Sequence, residues 1–315
     1  MTLNARALRL VEALLARAHD RHVSAHPIEK GGRIVDCGIE SRGGLAAGLD
    51  LARICMADLA DVALVPGDID GRPCPHVQVV TDHPVAACLA SQYAGWAIQD
   101  AKYFAMGSGP MRAASGKEAI FDAIGCREEP ETVIGVLEAR KKPTPAVIAR
   151  VAASCRVSPS AVTLLVAPTA SIAGTLQVVA RSVETSLHKL HELGFDVGRV
   201  RSAHGTAPLP PVARNDLAAI GRTNDAILYG ARVVLYVTGD DASVEEIGPK
   251  VPSSSSRDHG APFAEIFARY NNDFYAVDPH LFSPAQVAFH NIETGRAFNF
   301  GELAPPVLVR SFFGG

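Results

Sequence analysis

Arg181 and Glu184 are two oppositely charged residues three positions apart, in a segment whose pattern predicts a helix over residues 171–193. Side chains at positions i and i+3 of a helix are neighbours on its surface. A carboxylate beside a cation stays ionised and can move protons in catalysis. The same spacing also describes an exposed ion pair, which contributes only roughly a few tenths of a kcal/mol. Spacing alone favours the exposed pair.

The apolar residues of the same segment predict a core face. At about 100° per residue, Gln177, Arg181, Glu184 and His188 fall on a different face of the helix. His188 and His191 have a spacing that can chelate a metal, but a solvated polar face is the simpler interpretation. The core face consists of Ile172, Leu176, Val179, Val183, Leu187 and Leu190.

Several short motifs that carry chemistry are absent from the sequence. There is no P-loop, nucleophile elbow, zinc-binding H-E-x-x-H helix or zinc deaminase signature. Gly107 and Gly109 begin a pattern like that of dinucleotide-binding loops, but Arg112 occupies the third glycine position. The six cysteines include no C-x-x-C pair. We therefore expect no bound metal and no disulfide, as in a reducing compartment.

Length and composition exclude several classes of protein. The chain has 315 residues, which favours two domains, and its 48% hydrophobic residues argue against disorder. A net charge of −3 argues against nucleic-acid binding. No apolar run reaches the roughly 18 residues of a membrane span, and residues 3–20 have the pattern of an amphipathic core helix, not of a signal peptide. We expect a cytoplasmic protein.

Strand and helix patterns alternate irregularly along the chain, which favours an α+β fold over a doubly wound sheet. Pro143 and Pro145 mark a break, so we predict two mixed α/β domains, 1–145 and 146–315, with a cleft between them. We predict loops at 103–112 and 253–256 and two short helices within 116–142. The predicted strands are 62–66, 76–82, 162–168, 231–238 and 305–313, and further helices are predicted over 145–155 and 261–270.

Longer motifs carry a resemblance to a known family. They are Cys37-Gly38 with Gly43-Gly44, Ile54-Cys-Met56, Tyr103-Phe-Ala-Met-Gly-Ser-Gly-Pro-Met-Arg-Ala113, Arg181-Ser-Val-Glu184, Gly221-Arg-Thr-Asn-Asp-Ala-Ile-Leu-Tyr-Gly230 and Asp273-Phe-Tyr-Ala-Val-Asp-Pro-His-Leu-Phe-Ser-Pro284. Over essentially its whole length the sequence resembles methenyltetrahydromethanopterin cyclohydrolases. In that family an arginine and a glutamate three residues apart carry the chemistry, so the resemblance implies that Arg181 and Glu184 are catalytic.

The resemblance further implies that the substrate is methenyltetrahydromethanopterin or its dephosphorylated analogue, a reduced pterin with a methenyl bridge between N5 and N10. Hydrolysis of this bridge gives the N5-formyl form. It implies a homotrimer. It also implies that no cofactor takes part, because the bridging carbon is a cation and needs no Lewis acid. A pterin-dependent formyl or one-carbon transferase is the alternative enzyme, and a pterin-binding module without activity is the third possibility. The predicted substrate-binding residues are Gly107, Ser108, Gly109, Arg112, Asn224 and Asp225.

Overall fold

The computed structural model describes residues 1–28, 31–100, 103–271, 273 and 276–314. The chain divides into two compact units, each made of two stretches of sequence. The first unit is Met1–Ala60 with Ala86–Gln177, and the second is Asp61–Val85 with Val178–Gly315. Each combines helices with a mixed sheet, which confirms the predicted α+β class.

Over the described residues the strands are β1 (Ser24–Pro27), β2 (Arg33–Asp36), β3 (Asp61–Val65), β4 (Asp68–Ile69), β5 (Arg72–Pro73), β6 (His76–Thr81), β7 (Trp96–Asp100), β8 (Tyr103–Ser108), β9 (Val133–Glu138), β10 (Val162–Ala167), β11 (Val200–Pro208), β12 (Arg232–Val237), β13 (Gln286–Asn291) and β14 (Ala297–Gly301).

Over the same residues the α-helices are α1 (Leu3–Ala16), α2 (Ala18–Arg21), α3 (Leu45–Cys55), α4 (Met111–Ser115), α5 (Ile120–Ile124), α6 (Pro145–Cys155), α7 (Ile172–Val179), α8 (Ser182–Glu192), α9 (Asp216–Gly230), α10 (Asp241–Ile247), α11 (Phe263–Arg269) and α12 (Pro305–Phe313). A π-helix covers Val85–Gln92. Short 3-10 turns include Val197–Arg199, Ser253–Ser255 and Pro279–Leu281.

The sheet of the first unit has the order β1-β2-β10-β9-β8-β7 over the described residues. Strands β2, β10 and β9 are parallel, and the outer strands add antiparallel edges. Helices cover both faces of the parallel strands: Val35, Ile134 and Leu165 pack with α1 and α3, whereas Ile34 and Leu164 pack with α6. Burial on both faces explains the continuous apolar runs of β9 and β10.

The sheet of the second unit has the order β14-β13-β12-β11-β6-β3 over the described residues. One face is the core, where Val79, Val233 and Phe289 are fully buried. The opposite face carries partly exposed side chains such as Val80 and Tyr236. This alternation between a buried and an open face is usual for antiparallel strands. Helices α8 and α9 pack on the strand β11.

The observed units differ from the boundary predicted near residue 145. Strand β10, beyond the predicted boundary, pairs with β2 and β9 and so belongs to the first unit. Strand β6, before it, pairs with β11 and so belongs to the second. A single boundary at Pro143 and Pro145 cannot describe two units that are each made of two separate stretches of sequence. The cleft between domains stays a prediction.

Most of the predicted elements are confirmed, including α6, β6, β10 and β12. Other predictions of elements were wrong. The predicted loop 103–112 contains strand β8 and helix α4, and the second predicted helix in 116–142 is strand β9. Residues 305–313 form helix α12, not a strand, and this helix begins with two prolines, which fit the first turn of a helix.

Candidate active site

Arg181 and Glu184 lie at the start of α8. The helix predicted over 171–193 is in fact two helices, α7 and α8, separated by a turn at Ala180 and Arg181. Arg181 is the residue immediately before α8, with φ −91° and ψ 10°, and Glu184 lies in the first turn. Partial positive charge at a helix N-terminus favours the ionised form of a nearby carboxylate. The break therefore gives Glu184 a favourable electrostatic setting that one continuous helix would lack.

Both charged residues are buried. Arg181 is 5% exposed and Glu184 is 4% exposed, so the interpretation as an exposed surface pair is wrong. The predicted core face is confirmed from Leu176 to Leu190, whereas Ile172 is 37% exposed. Because ionised groups are buried only at considerable cost, their burial on this helix indicates a functional or structural need.

Gly205 of strand β11 allows the first turn of α8 to lie close to the sheet. A Cβ atom at Gly205 would collide with Oγ of Ser182 and lie 2.9 Å from Cγ2 of Val183. The turn is also held within the helix, since Oγ1 of Thr185 donates to the carbonyl of Arg181 at 3.1 Å. The position of the Arg181–Glu184 turn thus depends on a glycine about twenty residues further along the chain.

Lys189 is a buried charged residue of α8 that the sequence analysis missed. It is 2% exposed, and its Nζ donates to the carbonyl of His280 at 2.6 Å. Burial lowers the pKa of Lys189 to about 8, although the nearby Asp278 carboxylate opposes this shift. A lysine on the polar side of an amphipathic helix gives no sequence signal that distinguishes it from a solvated one.

Asn224 and Asp225, both predicted to bind substrate, lie in α9. Nδ2 of Asn224 donates to the carbonyl of Ile220 in the same helix, at 2.8 Å. Asp225 is fully buried, and its carboxylate accepts from the backbone N–H of Phe263 at 2.7 Å and from Oγ of Ser311 at 2.6 Å. Asp225 therefore joins α9 to α11 and α12, a structural role that accounts for its side chain. Substrate binding by either residue stays a prediction.

The predicted substrate-binding segment around Gly107 connects β8 to α4. Gly109 has φ +90°, which favours glycine, and its N–H donates to the carbonyl of Ser91 at 2.8 Å. The N–H of Gly109 thus has a partner within the protein, and substrate binding by this segment stays a prediction. Ser108 is buried, and its Oγ donates to the carbonyl of Val136 at 3.3 Å. At Gly107 a Cβ atom would lie only 2.7 Å from Cε of Met111.

Arg112, the fourth predicted substrate-binding residue of this segment, is fully buried. Its Nε and Nη2 donate to the two carboxylate oxygens of Glu118, at 2.9 and 2.7 Å, and its Nη1 donates to the carbonyl of Leu89 at 2.7 Å. The guanidinium also lies over the ring of Tyr93, 4.8 Å from the centroid. A bidentate pair of this kind fixes Arg112 strongly inside the first unit. Its predicted contact with substrate stays a prediction.

The glycine-rich motif after β2 is organised by Asp36. Its buried carboxylate accepts hydrogen bonds from four consecutive backbone N–H groups, from Gly38 to Ser41, at 2.7–3.0 Å. Burial raises the pKa of Asp36, but these four donors outweigh it and lower the pKa overall. Gly43 has φ +61°, and a Cβ there would collide with the carbonyl of Cys37. The motif is thus a rigid loop leading from β2 into α3.

A metal-binding cluster and a membrane-spanning helix are both absent from the described residues. In that part of the chain, no group of three or more His, Cys, Asp or Glu side chains is placed to hold a metal ion. None of the helices there combines the length and apolar character that crossing a membrane requires. Of the resemblance motif at 273–284, Phe274 and Tyr275 lie outside the described residues.

The structure thus places a buried arginine and a buried glutamate at one helix start, on an α+β scaffold, and glutamate is one of the side chains that enzymes use for acid–base catalysis. Comparison with known proteins identifies the family. The family model described as Cyclohydrolase (MCH) matches residues 2–312, and the chain belongs to this family.

Individual relatives match along nearly the full chain. A methenyltetrahydromethanopterin cyclohydrolase of Rhodopirellula baltica is 51% identical over 287 residues, which are 90% of this chain and 86% of the relative. One of Methylobacterium sp. strain 4-46 is 46% identical, covering 99% of this chain and 97% of the relative. One of Methanococcoides burtonii is 38% identical, covering 99% of this chain and 98% of the relative.

Proposed function

We propose that this chain is an enzyme that hydrolyses N5,N10-methenyltetrahydromethanopterin, or its dephosphorylated analogue, reversibly to the N5-formyl form. The observation that carries the proposal is the family match over residues 2–312, which includes the buried Arg181 and Glu184 at the start of α8. Relatives whose names state this activity cover nearly the whole chain.

The proposed reaction needs one group that accepts a proton and returns it. Water attacks the cationic bridging carbon and gives its proton to Glu184, which leaves a neutral tetrahedral intermediate. Glu184 then gives this proton to N10, the C–N10 bond breaks, and the hydroxyl becomes the formyl carbonyl as its proton leaves to solvent. The net change is one water consumed and one proton released. A single carboxylate can act first as base and then as acid.

Arg181 has two roles in this mechanism. Its cation keeps the Glu184 carboxylate ionised, and together the two residues are close to neutral beside a cationic substrate. It also stabilises the oxygen of the attacking water, which gains partial negative charge as Glu184 takes its proton. Since the bridging carbon is already electrophilic, the proposed reaction uses neither a metal ion nor a cofactor.

The proposal extends to the state of the protein in the cell. We place it in the cytoplasm, and we propose a homotrimer in keeping with the family resemblance. The pterin is both substrate and carrier.

One assay tests the activity. Purified protein is mixed with the methenyl pterin, with water as the only co-substrate, and loss of the methenyl chromophore is followed together with proton release in weakly buffered solution. We expect both signals at equal rates. A transferase would leave the chromophore unchanged until a second one-carbon acceptor is added, and a binding module would leave it unchanged throughout. Either result would remove the hydrolase proposal.

A further inference from the structure

Lys189 connects the helix of the candidate active site to two distant loops. It lies in α8 five residues after Glu184. Its Nζ donates to the carbonyl of His280 at 2.6 Å and to Oγ of Ser255 at 3.4 Å, partners 91 and 66 positions away in sequence. A buried ammonium group costs free energy unless such bonds compensate for lost hydration. The contact therefore fixes three separate segments at one point.

The two loops are themselves tied together. The backbone N–H of Ser253 donates to the carbonyl of Pro284 at 3.0 Å, and its hydroxyl donates to the carbonyl of Leu228 in α9. The hydroxyl of Ser256 donates to the carboxylate of Asp278 at 2.7 Å. The serine run predicted as a loop is a hydrogen-bonded turn in which Ser253 and Ser256 are buried, and Lys189 anchors it to α8.

The ammonium of Lys189 is influenced by the charge of Asp278. Asp278 is the carboxylate whose charge favours the protonated form, against the effect of burial. The strands under α8 present Ala203, Gly205 and Leu235 on their buried face, and none of these titrates. The turn Val197–Arg199, which packs on α8, brings a guanidinium whose Nη1 lies 3.4 Å from the carboxylate of Asp240.

We propose that Lys189 is a positioning residue for the reaction proposed above: its protonated ammonium holds α8, and with it Arg181 and Glu184, in register with the loops at Ser255 and His280. The proposal rests on the proposed function. The ammonium of Lys189 is occupied by the His280 carbonyl and the Ser255 hydroxyl, so it acts through Glu184, five residues earlier in the same helix. Small displacements of a catalytic group lower turnover steeply, by about 100-fold for 1 Å. Loss of the proton leaves a neutral amine, which makes a weaker bond to the His280 carbonyl.

The test compares Lys189→Met and Lys189→Arg with the wild type, measuring kcat and KM from pH 6 to pH 10. Methionine keeps the length of the side chain but lacks the donor, so we expect kcat to fall about tenfold or more, with KM changed less than about twofold. We expect wild-type kcat to decline as the pH rises through about 8, where Lys189 loses its proton. Arginine does not titrate in this range, so Lys189→Arg should keep its activity to higher pH.

Two further variants keep the test decisive. Lys250→Met, at a lysine whose side chain is 56% exposed, is the matched control and should keep wild-type kinetics. Ser255→Ala removes the weaker partner of Lys189 and should lower kcat in the same direction but less, even if Lys189→Met does not fold. Normal kcat in both Lys189→Met and Ser255→Ala, or an unchanged alkaline decline in Lys189→Arg, would overturn the proposal. If the wild type itself consumes no substrate, the proposed function fails first, and the role of Lys189 with it.

Discussion

At the scale of single residues, the carboxylate of Glu184 carries the proposed proton transfers. Glu184→Gln keeps the shape of the side chain but cannot accept a proton at neutral pH. We expect the variant to fold and bind pterin while turnover falls by about 10²–10⁴-fold, the usual contribution of general acid–base catalysis. Chromophore loss gives the rate, and fluorescence or equilibrium dialysis gives pterin binding.

The matched control for this substitution is Glu192→Gln. Glu192 is in the same helix, its side chain is 55% exposed, and it lies 3.8 Å from His188. The control should keep wild-type turnover. Near-normal turnover by Glu184→Gln would remove the proton-transfer mechanism but leave the family membership intact.

Asp225 provides a prediction about pH and stability. Burial raises its pKa to about 7, whereas an unfolded chain has an aspartate pKa of about 3.9. Between about pH 4 and pH 7 the folded state therefore keeps a proton on Asp225 that the unfolded state has lost. The contribution of this group to the free energy of unfolding is fully present below about pH 4 and is lost as the pH rises to 7. Asn at position 225 can accept from Phe263 N–H and donate to Ser311, so Asp225→Asn should lack this decline.

Denaturant unfolding between pH 4 and pH 8 measures the effect. We expect Asp225→Asn to be within about 1 kcal/mol of the wild type at pH 4 and to gain relative stability steadily up to pH 7. Asp122→Asn, at a carboxylate that is 77% exposed, is the control and should follow the wild type. Parallel curves for Asp225→Asn and the wild type would contradict the prediction.

The sequence identified the Arg181–Glu184 pair but not its surroundings. Spacing placed the two side chains on one helical face, and the resemblance gave them a role. Their burial, and that of Lys189, could not be predicted, because it depends on residues such as Gly205 and His280 that only the tertiary fold brings near. For the same reason, the partners of Arg112 and Asp225 inside the protein could not be predicted, and contact of either residue with substrate stays a prediction.

At the scale of elements, the contact of α8 with β11 depends on Gly205. Gly205→Ala adds a Cβ that collides with Oγ of Ser182, so we expect α8 to shift. Overpacking of this kind costs about 1–3 kcal/mol. Turnover should fall as well, because Glu184 lies in the displaced turn. Thermal unfolding and chromophore loss measure the two effects.

A second substitution separates this steric cause from others. Ser182→Ala removes the atom that collides, and Oγ of Ser182 makes no hydrogen bond to the described residues. Ser182→Ala should therefore be nearly neutral alone and should restore part of the stability and turnover lost in Gly205→Ala. If the stability losses of Gly205→Ala and Ser182→Ala simply added in the double variant, the collision with Ser182 would not be the cause of the loss in Gly205→Ala.

Elements with a clear local signal were predicted well. Helix α6 is capped by Thr144, whose hydroxyl accepts from the N–H of Val147, and it has proline in its first turn. Strand β9 was mistaken for a helix because its apolar run, buried on both faces, lacks the alternation that reveals a strand. The break at Ala180 was invisible for a different reason: the apolar stripe continues across it, so periodicity predicts one helix.

At the scale of the whole molecule, we expect the homotrimer to be measurable directly. Sedimentation equilibrium at micromolar concentration should give a mass three times the 33.2 kDa of one chain. Dilution to nanomolar concentration tests how tightly the copies associate, with specific activity followed in the same samples. A single species with the mass of one chain at micromolar concentration would contradict the prediction.

Because the second unit combines Asp61–Val85 with Val178–Gly315, its sheet cannot be completed early during synthesis on the ribosome. Strands β3 and β6 are made early, but β6 needs β11, and the paired side chains of Gln78 and His204 are 126 positions apart. At about 5–20 residues per second, β6 waits about 6–25 seconds for this partner. The rest of the first unit is translated in that interval and can close first. Strand β6 keeps an unpaired edge meanwhile, and such an edge can pair with other chains.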